Sequence, residues 1–295
     1  MNSAAARYAP ARLWVRKAKD RLLSGLMALM ALAAVGALAL VLLYLLRNGL
    51  RALSLRIFLE GPTPMGTPGG GLRNAIAGTL VLMALASAIG LPLGILGGIY
   101  QIEVKGRFAW TVRFLTDVLN SIPSIVIGIF VYVVVVLPTA RIHPGSGFSA
   151  LAGGVALGII MIPTIMRTTE EILRLIPLSL WEASLALGAT RWRTMWSVVL
   201  PAARGGILTG IMLALARIAG ETAPLLFTAF GNVDFNLKIT KPIDALPLSI
   251  FTNATSPYDY LHQQAQAGAI LLVLLILVLS VVTRVMLSRK MYEGR

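Results

Sequence analysis

An all-α, polytopic membrane protein with six transmembrane helices is the fold class this sequence predicts, and three observations carry it. Hydrophobic residues make up 57% of the 295 positions and charged residues 13%, far from the usage of a soluble domain. Six apolar runs are each near the twenty or so residues that a helix needs to cross a bilayer core about 30 Å thick. The 26 Lys and Arg outnumber the 12 Asp and Glu, for a net charge of +14, yet they cluster beside the apolar runs. They form no basic amphipathic face with interleaved aromatics, so membrane topology explains the charge and a nucleic-acid partner does not.

Residues 1–21 are polar and basic, with Arg7, Arg12, Arg16, Lys17, Lys19 and Arg21, and form a cytoplasmic N-terminal segment. The uncharged run Leu22 to Leu46 that follows is longer than the apolar region of a secretory signal and reads as an uncleaved first span. Arg47 to Arg73 is a loop whose Gly/Pro-rich piece, Pro62 to Gly71, cannot be a regular helix and is expected to be a mobile connection. The second span, Asn74 to Tyr100, places Gly90, Gly94 and Gly98 at four-residue spacing around Pro92, a pattern that lets a neighbouring helix approach closely. Val118 to Leu137 is the third span and opens with Asn120, Ser121, Pro123 and Ser124. Ala150 to Met166, holding Gly154 and Gly158, is the fourth. Gly205 to Phe230 is the fifth, interrupted by charge, and Ala265 to Thr283 the sixth. The membrane domain thus covers 22–288, with a cytoplasmic tail at 289–295. With the N-terminus inside, eighteen Lys and Arg face the cytoplasm and seven face outward, which favours both termini inside.

Between the fourth and fifth spans, Leu175 to Pro201 is turn-punctuated and charged. Pro177 ends the preceding helix, and Ser179 with Glu182 three residues on has the capping-box pattern that starts a new one. Gly188 suits the left-handed position that ends it, and Thr190 can cap a second helix that Pro201 closes. Trp181 and Leu185 share one side of the first helix, and Trp192, Trp196 and Val199 one side of the second. Such an elbow either lies at the membrane surface or docks into a groove of another protein.

Arg217 stands about twelve residues into the fifth span, roughly 18 Å from its inner end at about 1.5 Å per residue. An arginine at that depth costs at least about 2.5–3.5 kcal/mol. Glu221 follows one turn later on the same face, with Thr222 beside it. Either the two neutralise each other and lock the bundle, or Arg217 faces a water-filled passage and offers its fork of donors to an oxyanion while Glu221 holds or gates it. Buried ion pairs stabilise poorly, which favours the second reading. Asn120, Ser121, Ser124 and Thr222 could add donors, although serines in spans more often bond their own helix backbone.

Other chemistry lacks its parts. Without cysteine there is no disulfide, thiol catalysis or thiolate site, and His143 and His262 have no ligand partner at i+3 or i+4, so no metal site is expected. No G-x4-G-K-[ST] motif is present, and Gly69-Gly70-Gly71 lacks a following lysine. No catalytic set converges either: Glu170 and Glu171 sit where a span meets the cytoplasm and are expected to pair with nearby arginines. Any ATP would be hydrolysed by another chain.

Glu182-Ala183-Ser184, Gly188 and Val198-x-Leu200-Pro201 resemble the EAA signature of bacterial ABC-importer permeases, E-A-A-x3-G-x9-I-x-L-P, with Ser and Val as the departures. Leu213 to Leu225, which reads LALARIAGETAPL, is similar to the fifth-span sequence of the phosphate-specific permeases of PstA and PstC type, and so are Ser121 to Gly128 and Asn74 to Thr79; the likeness runs over nearly the whole chain after about residue 70. The resemblance implies a type I ABC-importer permease fold and a non-enzymatic subunit of the bacterial inner membrane that forms half of a passage for inorganic phosphate. It implies that Glu182, Ala183, Ser184, Gly188, Arg191, Leu200 and Pro201 couple to a separate ATPase, and that Arg217 and Glu221 are linked to phosphate passage. The implied partners are a second permease of PstC type, an ATPase dimer of PstB type that binds the ATP and Mg, and an extracytoplasmic phosphate-binding protein of PstS type, with no cofactor in this chain. Lys238, Lys241 and Asp244 of the last outer loop are candidates for meeting the binding protein. Three alternatives stay open: a permease for sulfate or molybdate, an autonomous anion channel or proton-coupled carrier using Arg217 and Glu221 as relay, and a scaffold that carries nothing.

Overall fold

A computed structural model describes residues 10–64, 66–142 and 147–292; the expectations placed on Arg7, His143 and the last three residues lie outside them. Six helices are long and apolar enough to cross a membrane. The first, α1 (Pro10–Ala52), fuses the basic segment and the first span into 43 residues, because no proline or turn separates them. None of its spanning window is buried. Only its end meets the body of the bundle, where Gly49 lies against Ile270 and Gln266 Nε2 donates to the Tyr44 hydroxyl at 3.2 Å.

After α2 (Leu55–Leu59) the Gly/Pro-rich loop is non-helical as expected, but hydrogen bonds hold it against the expectation of a loose connection. Gly71 N donates to Gly61 O, Gly66 N donates to the Tyr260 hydroxyl at 2.9 Å, and Gln264 Nε2 donates to Gly69 O at 2.7 Å.

The centre is the pair α3 (Arg73–Glu103) and α7 (Ala150–Arg174). Gly90, Gly94 and Gly98 of α3 receive Met161, Ile165 and Thr169 of α7, and Gly154 and Gly158 of α7 receive Leu85 and Ile89 in return. A Cβ on Gly94 would stand 2.7 Å from that of Ile165, so the absent side chains are what let the backbones meet. Leu82, Ala86, Leu157, Met161 and Ile165 form the core, joined by Ile218 and Leu225.

α4 (Arg107–Ser121) is separate from the third span, which runs from Ser124 to Ile142 as α5 (Ser124–Val131), a π turn at Tyr132–Val136 and α6 (Leu137–Ile142). The span therefore starts after the expected Val118, because Pro123 forces Ile122 into an extended conformation with ψ 130. The elbow contributes α8 (Leu178–Ala186) and α9 (Arg191–Thr194), and a π turn at Met195–Val199 leads into α10 (Leu200–Ala219) without a break. Pro201 therefore does not close a helix. Both π turns immediately precede an x-Pro step, Pro138 and Pro201, whose rings would otherwise clash with the carbonyls of Val134 and Ser197 inside those turns; the wider coil relieves the clash. α11 (Ala223–Leu226), α12 (Leu246–Ala254) and α13 (Asp259–Tyr292) complete the chain.

Candidate functional site

The fifth span is shorter than the sequence predicts: it ends at Ala219 rather than running to Phe230. Gly220 caps it, Gly220 N and Glu221 N donate back to the carbonyls of Arg217 and Ile218 at 3.2 Å, and Pro224 opens the next short helix. A proline there cannot continue α10, so the chain breaks at Glu221 and Thr222. Arg217 consequently occupies the last turn, where the helix's free carbonyls favour a cation.

The Arg217 guanidinium donates from Nη1 to Thr164 Oγ1 at 3.3 Å. Thr164 is fourteen residues from one end of α7 and ten from the other, roughly 21 and 15 Å along the axis, which puts the cation and the broken backbone near mid-depth. Irregular backbone is tolerated there only inside protein or along a water-filled cavity. Glu221 Oε1 lies 3.8 Å from Arg217 Nε, with side-chain exposures of 18% and 43%. That is an attraction without a hydrogen bond, so the fork of Arg217 is neither sealed nor saturated by its carboxylate.

Gly128 of α5 packs on Pro224 so closely that a Cβ would fall 2.5 Å from the proline Cα, which docks the turn after Ser124 against the helix break. Ser121 Oγ donates to Asp117 O at 2.9 Å, its own helix backbone. Thr222 immediately precedes α11, and its carbonyl accepts from Leu225 and Leu226. The structure thus brings Arg217 and Glu221 together, sets Ser124 and Thr222 on adjoining elements, and leaves Asn120 and Ser121 at the α4–α5 bend, half-buried and exposed respectively. The residue that sequence reading misses is Thr164, whose only signal is a hydroxyl directly after Pro163 in an otherwise apolar run.

At the end of α7 that carries Arg174, Glu170 Oε1 accepts from Arg113 at 2.5 Å and Arg174 at 2.6 Å, while Arg167 pairs with Glu171 at 3.1 Å and with Asp117. Both glutamates meet arginines, as their position predicts.

In the elbow, Pro177 rather than Ser179 takes the N-cap of α8. Its ring fixes φ at the cap, so the capping-box serine falls inside the first turn. Gly188 ends the helix at φ 81, and Thr190 Oγ1 accepts from Arg193 N at 3.3 Å to cap α9. Ser184 and Thr194, both buried, share a 2.9 Å hydrogen bond that ties the two helices. Glu182, Ala183 and Arg191 are exposed, as are Leu178 and Leu187, the latter at 89%. Trp181 packs inward on Met195 and Val199; Val199 is buried, so it does not share the exposed face of Trp192 and Trp196. Leu200 and Pro201 form the first turn of α10.

In the loop before α12 Lys238 and Lys241 are exposed, but Asp244 turns inward. Its carboxylate accepts from Ala245 N at 2.8 Å and Ser249 Oγ at 2.5 Å, and burial pushes its pKa upward.

Residues 90–291 match the family described as binding-protein-dependent transport system inner membrane component. The chain is 46% identical over 246 residues to the phosphate transport system permease protein PstA of Yersinia pestis, covering 82% of this chain and 81% of that one. It is 40% identical to the PstA protein of Haemophilus influenzae, covering 95% and 97%. Among solved structures it is similar to a chain of a bacterial alginate ABC transporter in complex with an alginate pentasaccharide-bound periplasmic protein, at TM-score 0.66 and 17% identity over 94% of this chain and 98% of that one. It is also similar to the inward-facing MetNI methionine ABC transporter, at TM-score 0.57 and 22% identity over 74% and 94%. At these identities the structural likeness speaks for the fold.

Proposed function

We propose, for a chain that belongs to the binding-protein-dependent transport inner membrane family and within it to the phosphate permeases of PstA type, that its work is to form half of the membrane passage of an ATP-driven importer of inorganic phosphate. The observation that carries this reading is the 46% identity to a PstA permease over 82% of the chain. The protein is a multi-pass inner-membrane subunit that works with an ATPase and a binding protein.

The finer assignment is our own. A PstC-type permease faces this one across the passage, a PstB-type ATPase dimer binds the ATP and Mg and seats the elbow Glu182 to Gly188, and a PstS-type protein delivers phosphate on the outer side. Both termini lie in the cytoplasm, and the chain itself catalyses nothing. The exposed Leu178 and Leu187 beside Glu182 support a protein groove as the elbow's destination, since water gains nothing from them. Arg191 to Ala219 is one helical rod. The Ser184–Thr194 hydrogen bond ties α8 to this rod across the Gly188 turn, so a push on the elbow passes through that contact and then along the backbone to Arg217.

At Arg217 the planar fork suits a tetrahedral oxyanion, and Glu221, close enough to attract but not to hydrogen-bond, gives the cation up when phosphate arrives. In the assembled transporter, Arg217→Ala and Glu221→Gln are expected to lower uptake of radiolabelled phosphate tenfold or more, and Arg217→Lys to rescue it only in part. Normal assembly with unchanged uptake would refute the role. Unlabelled sulfate and molybdate are expected not to compete, and this chain reconstituted alone in liposomes is expected to pass no phosphate.

A further inference from the structure

We propose that Thr164, on α7, completes the substrate site begun by Arg217: its hydroxyl donates to the anion that the guanidinium attracts, so that the ligand is held between α7 and α10. This role rests on the reading of Arg217 as a station for phosphate, and adds to it a second helix and an uncharged donor. Thr164 is half-buried and the Arg217 side chain is 43% exposed, so their contact lies where a solute can reach it.

The packing of the two helices sets this contact. They pair antiparallel, with Gly206 against Ile172 and Gly210 against Thr168: a Cβ on Gly206 would stand 2.6 Å from Ile172 Cδ1, and one on Gly210 would collide with Thr168 Cγ2. Small residues along such a seam let the backbones approach closely. One turn further along α7, Thr164 meets Arg217, whose long stem reaches across from the last turn of α10. The register that places the hydroxyl is thus fixed by contacts made elsewhere, before any ligand arrives, as a preorganised site requires.

What singles out Thr164 is the hydrogen its hydroxyl has left. Threonines inside helices commonly donate to the carbonyl four residues back, and Thr79, Thr116, Thr168, Thr209 and Thr252 do so at 2.6–2.9 Å. Thr164 Oγ1 instead accepts from Arg217 Nη1 at 3.3 Å and donates to no described residue. A hydroxyl has one donor hydrogen and two lone pairs, so that hydrogen remains for a ligand. Accepting from a cation also polarises the hydroxyl and strengthens its own donation. On the other side of the contact, Glu221 stands 3.8 Å from Arg217 Nε, beyond hydrogen-bond reach, which leaves donors of the fork open. Two atoms 3.3 Å apart can both lie about 2.8 Å from a single oxygen, the length of a charge-assisted bond. One phosphate oxygen therefore bridges the guanidinium and the hydroxyl.

The test is ATP-driven uptake of radiolabelled phosphate by the assembled transporter in proteoliposomes, expressed per assembled complex. Thr164→Val keeps the branched shape but loses the hydroxyl, and is expected to lower uptake about tenfold. Thr164→Ser keeps the hydroxyl and is expected to stay within about twofold of wild type. A packing role predicts the opposite order, with Ser worse than Val, and that order overturns the assignment. Donation to the anion is separated from positioning of the guanidinium by repeating Thr164→Val on an Arg217→Lys background, which has no planar fork to position. A further loss of about the same size is expected there, and no further loss overturns direct contact. Arg217→Ala, run beside these, distinguishes the two ways of failing. If it leaves uptake unchanged, the role of Arg217 fails and that of Thr164 falls with it; if it lowers uptake while Thr164→Val does not, the role of Thr164 alone is overturned.

Discussion

Ser184 stands where the EAA signature has alanine, and its hydroxyl is half of a buried hydrogen bond with Thr194. Because Thr194 is wholly enclosed, Ser184→Ala is expected to strand a polar atom at a cost of about 1–3 kcal/mol. Adding Thr194→Val removes the stranded partner and should restore most of the loss; thermal unfolding of the purified protein in detergent reads both. Asp244 makes the opposite kind of prediction. Its burial raises the folded-state pKa above the ordinary carboxylate value of 3.8, so the folded chain holds a proton that the unfolded chain has released. Stability is therefore complete below that ordinary value and declines as pH rises toward the raised folded value. Asp244→Asn removes the titrating group, and its melting temperature relative to wild type is expected to climb as pH rises through that window. A gap that stays constant between acid and neutral pH would show that the carboxyl is not desolvated.

The α3–α7 pair explains why some elements are legible in sequence and others are not. Four-residue glycine spacing in Asn74 to Tyr100 announces close packing, and a Gly154–Gly158 pair answers it from the partner helix. Gly94→Leu must push α7 away or adopt a strained rotamer, so overpacking is expected to cost about 1–3 kcal/mol. Gly106→Ala, with nothing within 4 Å but φ 134, should fail for backbone reasons alone. Melting temperatures separate the two when Gly25→Ala, in open space on α1, serves as the neutral reference. Periodic features of this kind survive in a one-dimensional reading because they depend on spacing alone. The ends of the third and fifth spans do not, since apolar residues lie on both sides of Ile122 and of Gly220 while backbone sterics at Pro123 and Pro224 decide where the helices stop. Arg217 and Glu221 were visible as charges in an apolar run. Thr164 was not, because its role comes from a helix 53 positions away.

At the scale of the whole molecule, α1 is about 64 Å long at 1.5 Å per residue, roughly twice the hydrocarbon thickness. Its excess is the segment with Arg16, Lys17, Lys19 and Arg21, which must lie outside the lipid. The distribution of cationic side chains, eighteen against seven, leads us to expect that excess in the cytoplasm. With four spans between them, the elbow shares that side, while the loop holding Lys238 lies opposite. The chain has no cysteine, so single cysteines report this directly. Leu187→Cys, on the most exposed corner of the elbow, is expected to react with a membrane-impermeant maleimide only after permeabilisation, and Lys238→Cys to react in intact spheroplasts. The reverse pattern would put the elbow beyond the reach of any cytoplasmic ATPase. It would also break the mechanical line from Arg191 to Arg217, because a rod anchored outside cannot be driven by nucleotide hydrolysed within.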